Sequence, residues 1–261
     1  MNSNNDKKYF FFDIDGTLTT GFPAHIVPES TKRTLKALEE KGHFLAIATG
    51  RSQAMAEKIL NELGFKNMVS DGGNGITLDG KLVSIDPLDR EKCLSLVDEL
   101  EEKKIPWAVS PDNTRVRYTK YQAFYDRAND SYMQTIVDKD LDINKFDKFF
   151  KLYIGCDREV DSTIEGLKVL PYARFSDMYL FVEPDDKSVG IKKIMDHFNA
   201  PYSDVVVFGD HTNDLKMFRD EWTSIAMGNA IPELKAKADF VTKSSSEDGI
   251  EYACKHFGWI D

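Results

Sequence analysis

Short apolar runs that stop at a carboxylate, a threonine or a glycine recur along this chain. Phe10-Phe11-Phe12 ends at Asp13, Phe44–Ala48 ends at Thr49-Gly50, and residues 205–208 end at Gly209-Asp210. Runs this short, bounded by turn-forming residues, read as buried strands. Between the first two, residues 29–42 read as a helix, with Ser30 as its cap, Leu35 and Leu38 on one face and Gly42 as its stop. Residues 52–63 form a second helical stretch, closed by Gly64. Strand and helix in alternation predict right-handed βαβ units and a parallel sheet.

The alternation then breaks. Residues 69–75 are turn-rich, and 76–83 read as a hairpin with an Asp79-Gly80 turn. From 83 to 182 the order is mixed. Helices are expected at 89–103, 122–137 and 158–166, strand pieces at 107–109, 115–118 and 149–154, and a strand pair at 172–175 and 179–182. An α+β domain over residues 83–182, inserted into a core made of 1–82 and 183–261, is the simplest organisation. The core pattern resumes with a helix from Lys187 to about residue 198 and the strand at 205–208. Helix 215–219, strand 224–227, a helix at 232–236 with Pro232 at its start, strand 239–241 and helix 246–257 complete it. Residues 18–28, polar and proline-containing, read as a flap after the first strand.

Composition narrows the function classes. The chain has 261 residues, 41% hydrophobic and 30% charged, with a net charge of −10. Those proportions fit a globular protein, and no apolar run approaches membrane-spanning length. The acidic balance argues against nucleic acid as a partner, because non-specific binding there needs a basic footprint. Residues 1–8 are polar and lack an apolar signal core. Cys93, Cys156 and Cys254 are odd in number and lack zinc-ligand spacing. Reduced thiols and a cytoplasmic location are therefore expected, with a monomer as the default in the absence of heptads.

In a parallel sheet, ligands collect beyond the carboxyl ends of the strands. Asp13 and Asp15 leave the first strand there, and Gly16 lets the backbone turn. Two aspartates can also simply end a strand. Asp13-Ile14-Asp15-Gly16-Thr17 resembles the first motif of the haloacid dehalogenase (HAD) superfamily. Three further pieces follow in the family's order: Thr49-Gly50-Arg51, Lys187 with Gly190, and Gly209-Asp210-His211-Thr212-Asn213-Asp214. The last, followed by Met217, is similar to the Cof-type sugar-phosphatase branch.

The resemblance implies a Rossmann-like HAD core carrying a C2-type cap, and a Mg2+-dependent phosphatase acting on small phosphorylated metabolites, sugar phosphates among them. It implies Asp13 as the nucleophile that forms an aspartyl-phosphate, and Asp15 as the acid and then base. Lys187 would neutralise charge. Asp13, Asp210 and the Asp15 carbonyl would be metal ligands. Thr49, Gly50, Lys187 and Asn213 would bind the phosphoryl group or the substrate. Asp214 would support the site, either through a metal-bound water or by orienting Lys187. Alternatives within the resemblance are a phosphohexomutase and a catalytically idle protein that binds a phosphorylated ligand. In the inserted domain Arg115, Arg117, Tyr118, Tyr121, Tyr125 and Arg127 are candidate substrate contacts, with surface arginines and half-buried tyrosines as the plainer account. Arg51 could reach the substrate or form a salt bridge within the core.

Overall fold

The computed structural model describes residues 7–21, 25–128, 130, 132–174 and 176–261. The start of the polar amino-terminal stretch, the middle of segment 18–28 and the last residue of the strand expected at 172–175 lie outside them. The chain divides into two compact units. One holds residues 1–51, 56–84 and 186–261, the other 52–55 and 85–185.

The chain opens with β1 (Tyr9–Phe12), α1 (Glu29–Glu40), β2 (Phe44–Ala48), α2 (Gln53–Glu62, its first three residues counted with the second unit), β3 (Asn67–Ser70), β4 (Gly75–Leu78) and β5 (Lys81–Ile85, its last residue counted with the second unit). The second unit follows with α3 (Arg90–Glu102), β6 (Trp107–Ser110), β7 (Val116–Thr119), α4 (Gln122–Arg127), β8 (Gln134–Val137), β9 (Lys151–Ile154), β10 (Tyr172–Arg174) and β11 (Leu180–Val182). The chain then returns through α5 (Lys187–His197), β12 (Val205–Gly209), β13 (Thr223–Ala226), α6 (Pro232–Lys237), β14 (Phe240–Val241) and α7 (Gly249–His256).

The first unit is an eight-stranded sheet in the order β14-β13-β12-β1-β2-β3-β4-β5. All neighbours from β14 to β3 are parallel, and β4 joins β3 antiparallel. The α/β parallel sheet expected from the alternation is the architecture found. β1 explains why its run is apolar throughout. Tyr9 and Phe11 pack with Ile191, Ile194 and Met195 on one face, while Phe10 and Phe12 pack with Leu35, Leu38, Leu60 and Ile250 on the other. A strand sandwiched between helices has no polar face to show. The β4–β5 turn is at Asp79 (φ 49°) and Gly80 (φ 72°), both left-handed as an Asp-Gly hairpin turn requires.

The second unit is a six-stranded sheet in the order β10-β11-β9-β6-β7-β8, antiparallel except for β7–β8. Leu96, Val97 and Leu100 of α3 pack on Trp107, Leu152 and Leu180. The expected helix over 122–137 stops at Arg127, and Gln134–Val137 is a strand beside β7. The cause is Arg117, fully buried, whose Nη2 takes the Ala128 carbonyl (2.7 Å) and the Asp130 carboxylate (2.7 Å). Residues 158–166 form 3-10 turns instead of an α-helix.

Two further local expectations are corrected. Pro28, not Ser30, precedes α1, and the Ser30 hydroxyl donates to Asp248 at the start of α7. Residues 215–219 are not helical. Lys237 Nζ takes the Leu215 carbonyl (2.7 Å) and Trp222 Nε1 that of Met217 (3.0 Å), so side chains hold acceptors a helix would use. Among the described residues no helix is long and apolar enough to cross a membrane. The three cysteines are buried free thiols.

Candidate active site

Parallel neighbours β12, β1 and β2 end at one edge of the first unit's sheet, and each delivers a polar residue there. Asp13 follows β1, Thr49 follows β2 and Asp210 follows β12, all nearly buried. The register fixes Asp13, since its N–H donates to the Phe208 carbonyl at 3.0 Å. Lys187, first residue of α5 and 1% exposed, reaches the same spot. Its Nζ lies 2.5 Å from Asp13 Oδ1 and 2.6 Å from Asp214 Oδ1. Asp214 spends its other oxygen on the backbone N–H groups of Asp210 (2.9 Å) and His211 (3.1 Å). It thus shapes the loop after β12 while seating the ammonium group.

α5 is held for this task by a polar bracket. Asp186 caps it, accepting from Ser188 N (3.0 Å), and Arg219 donates to both Asp186 Oδ2 (2.9 Å) and Ser188 Oγ (2.7 Å). Two glycines permit the close packing. At Gly73 a Cβ would fall 2.1 Å from the Asp186 carbonyl, and at Gly190 2.4 Å from Val69 Cγ1.

The electrostatics follow from three buried carboxylates near one lysine, which pairs with two of them, Asp13 and Asp214. Burial pushes Asp13 up to about 8, partly offset by Lys187 and reinforced by the Asp214 charge. Asp210 is pushed up to about 7, again by burial first and the Asp214 charge second. Burial alone would depress Lys187, but Asp13 and Asp214 outweigh it and raise it above the ordinary lysine range. The ammonium form is secure, and the pocket holds more acid than one cation balances.

Oxygens of Asp13, Asp210 and Asp214 lie within 4.8 Å of one another, an all-oxygen donor set. Such a set suits a hard divalent cation such as Mg2+. Asp214 is already fully engaged, so Asp13 and Asp210 are the carboxylates with capacity left. The Asp210 oxygens are oriented by Thr17 Oγ1 (3.1 Å) and Asn229 Nδ2 (3.4 Å).

Asp15 stands apart from that cluster. Its carboxylate is clamped by Arg51, Nη2 to Oδ1 at 2.8 Å and Nε to Oδ2 at 3.1 Å, with His25 Nδ1 3.2 Å away. Of the two roles open to Arg51, the structure shows the salt bridge. Among the described residues the backbone N–H groups of Ile14 and Asp15 donate to no acceptor, nor does that of Gly50. The Thr49 hydroxyl oxygen accepts from Arg51 N (3.1 Å), leaving its proton free to donate. These donors make an anion-accepting cradle beside the carboxylates. Asn213 is exposed, and its side chain makes no hydrogen bond among the described residues.

Asn229 was not anticipated from the sequence. Its Nδ2 donates to the Gly16 carbonyl (2.9 Å) and faces Asp210, while its Oδ1 accepts from Ser245 N (2.9 Å). Gly228-Asn229 directly after an apolar strand was the available signal, because β13 ends at the same edge as β1 and β12. Conversely, Arg117 is no free contact. Its guanidinium lies 5.0–5.3 Å from the Phe124, Tyr153 and Tyr179 rings inside its own unit.

The family profile described as haloacid dehalogenase-like hydrolase matches residues 10–253. YkrA of Bacillus subtilis (strain 168), which carries the provisional name of phosphatase, is 32% identical over 98% of this chain and 99% of its own. A solved protein from Geobacillus kaustophilus HTA426, described as hypothetical, superimposes with a TM-score of 0.84 at 30% identity, covering 97% of this chain and 100% of that one. The structure of BT4131, described as a HAD subclass IIB sugar phosphatase, gives 0.78 at 26% identity over 97% and 100%. With the profile spanning nearly the whole chain and a relative matched end to end, the protein belongs to the haloacid dehalogenase-like hydrolases.

Proposed function

We propose that the protein is a Mg2+-dependent phosphatase of small phosphorylated metabolites, sugar phosphates foremost, acting as a cytoplasmic monomer through an aspartyl-phosphate on Asp13. The observation that carries this reading is the buried Lys187 ammonium shared by Asp13 and Asp214 beside Asp210. An attacking carboxylate needs such neutralisation, since it must approach a phosphate dianion. The likeness to a sugar phosphatase supports the substrate class.

Asp13 and Asp210 would hold Mg2+ with their carboxylates, joined by the Asp15 backbone carbonyl. When bound, the ion offsets the negative charge of nucleophile and phosphoryl group. In the first half-reaction an Asp13 oxygen forms a bond to phosphorus, the bond to the leaving oxygen breaks, and Asp15 gives that oxygen its proton. In the second, Asp15 takes a proton from water, whose oxygen bonds to phosphorus as the Asp13–phosphorus bond breaks. Thr49 Oγ1, the Gly50 N–H and Lys187 would hold the phosphoryl oxygens, with Asn213 donating to the substrate. Asp214 keeps Lys187 aimed, and Arg51 sets where the Asp15 carboxylate rests. The unit over 85–185 is read as the C2-type cap, lying in the chain between Thr49-Gly50 and Lys187, and would select the leaving group.

Phosphate release from a panel of sugar phosphates, nucleotides, phosphorylated vitamins and an aryl phosphate tests the proposal. It is run with Mg2+, with chelator, and with Asp13→Asn. Metal-dependent release that the substitution abolishes is expected. Interconversion of hexose 1-phosphates without release would assign a phosphohexomutase, and inactivity in both assays an idle phosphate-ligand binder.

A further inference from the structure

β3 runs parallel to β2, so it ends at the same edge of the sheet as Thr49. The turn after it is left-handed at three successive residues, Asp71 (φ 51°), Gly72 (φ 61°) and Gly73 (φ 117°). Glycine takes such φ values freely. Asp71 takes its own at a steric cost, and it is buried as well. Its Oδ2 accepts from the Ser70 hydroxyl at 2.8 Å, which anchors the side chain of the strained residue.

The turn spends its N–H groups on the neighbouring loop. Asp71 N donates to the Arg51 carbonyl (2.8 Å) and Gly72 N to the Thr49 carbonyl (3.2 Å). The Thr49 carbonyl and the Gly50 N–H belong to one planar trans peptide and point to opposite sides of it. Holding the carbonyl therefore aims the Gly50 N–H away from the turn, and that N–H meets no acceptor among the described residues. The turn also abuts the start of α5. A Cβ on Gly73 would fall 3.3 Å from Lys187 Cα, and one on Gly190 would fall 2.8 Å from the Gly73 carbonyl oxygen. One turn thus braces the two stretches of backbone that present Gly50 and Lys187.

We propose that Asp71 is a positioning residue for phosphoryl transfer, pinning the left-handed turn that keeps the Gly50 N–H aimed at a phosphoryl oxygen. This rests on the phosphatase reading of the same site and adds a residue that acts through the Thr49–Gly50 peptide. A donor aimed in advance needs no reorganisation as charge shifts among the phosphoryl oxygens in the transition state. Glycine at position 71 would keep the left-handed path open but lose the anchor to Ser70. Asparagine would keep both, since it tolerates positive φ and retains an acceptor oxygen.

Asp71→Gly and Asp71→Asn are compared with the unaltered chain in three measurements. Inorganic phosphate is titrated with MgCl2 present while NMR follows the Gly50 amide, orthovanadate inhibition is measured, and phosphate release is timed on an alkyl and an aryl phosphate. Phosphate should shift the Gly50 amide of the unaltered chain. Asp71→Gly should weaken that shift, and it should lower kcat and loosen orthovanadate by about tenfold alike, equally on both esters. Mg2+ affinity should stay unchanged, which a general loss of structure at this edge would not allow. Asp71→Asn should stay within about threefold of the unaltered chain throughout. An unmoved Gly50 amide or a fully active Asp71→Gly would overturn the proposal. So would an Asp71→Asn as impaired as Asp71→Gly, making charge the agent, or a loss confined to the alkyl ester, placing the effect on Arg51 and Asp15. If the unaltered chain releases no phosphate, the phosphatase reading falls by itself, and the Gly50 shift in the two variants still decides for or against Asp71.

Discussion

At about pH 6 the metal-free protein should bind Mg2+ roughly a thousandfold more weakly than at about pH 9. The perturbation is protonation of the two proposed ligands. Burial and the Asp214 charge hold Asp13 up at about 8 and Asp210 at about 7, so both carry protons in mildly acidic solution. A cation takes the carboxylate form, and each proton to be displaced weakens binding about tenfold per pH unit below the group's pKa. Descending from pH 9 to pH 6 therefore costs about two decades at Asp13 and about one at Asp210, together roughly 4 kcal/mol. Calorimetric titration with MgCl2 at constant ionic strength, in two buffers of different ionisation enthalpy, measures both affinity and protons released. About one proton per Mg2+ is expected near pH 7.5 and about two near pH 6. A flat affinity with under half a proton released across that range would refute the reasoning. It would mean that Lys187 alone keeps both carboxylates ionised, so that the cation meets no competing proton.

Four substitutions probe the rest of the site. Asp214→Ala strips Lys187 of one buried partner and leaves two N–H groups without acceptors, so denaturant unfolding should show a loss of about 3–5 kcal/mol; a change under about 1 kcal/mol would contradict the shared-lysine account. Gly16→Ala combines a φ of +88° with a Cβ placed 2.2 Å from Asp210 Oδ2, so weaker Mg2+ binding and a lower melting temperature are expected together. Asn229→Ala should weaken Mg2+ by about tenfold through lost orientation of Asp210 while leaving the fold intact by circular dichroism. Arg51→Ala should slow alkyl phosphates more than an aryl phosphate, whose leaving oxygen needs less help from Asp15, and equal slowing would place Arg51 on the substrate instead.

The core was legible because a strand covered on both faces has nowhere to hide a polar residue. Phe10-Phe11-Phe12 and residues 205–208 therefore announce themselves, and the first polar residue after each marks the edge where ligands collect. The second unit was read less well for the opposite reason. Its local pattern is overruled by one long-range choice, the burial of Arg117. Taking the Ala128 carbonyl and pairing with Asp130 ends α4 ten residues before the expected helix end and frees Gln134–Val137 to pair with β7. No periodicity reports that an arginine will be interior. Residues 215–219 failed alike, their carbonyls claimed by Lys237 and Trp222 from outside the segment.

The same distinction runs through the site. Asp13, Asp210 and Lys187 were named through the motifs' resemblance to the family, and each stands at an element's end, where the backbone largely determines its place. Asn229 stands at such an end too, and reading every parallel strand of the core to its last residue would have brought it in. The Arg51–Asp15 clamp could not be derived that way. Two residues 36 positions apart meet only because β1 and β2 are adjacent, and whether Arg51 turns toward Asp15 or outward depends on side-chain torsions. Strand ends thus fix which groups surround a phosphoryl group, while side-chain pairing decides how the acid is held between its two proton transfers. The pH dependence of metal binding interrogates the first of these, and the leaving-group dependence of Arg51→Ala the second.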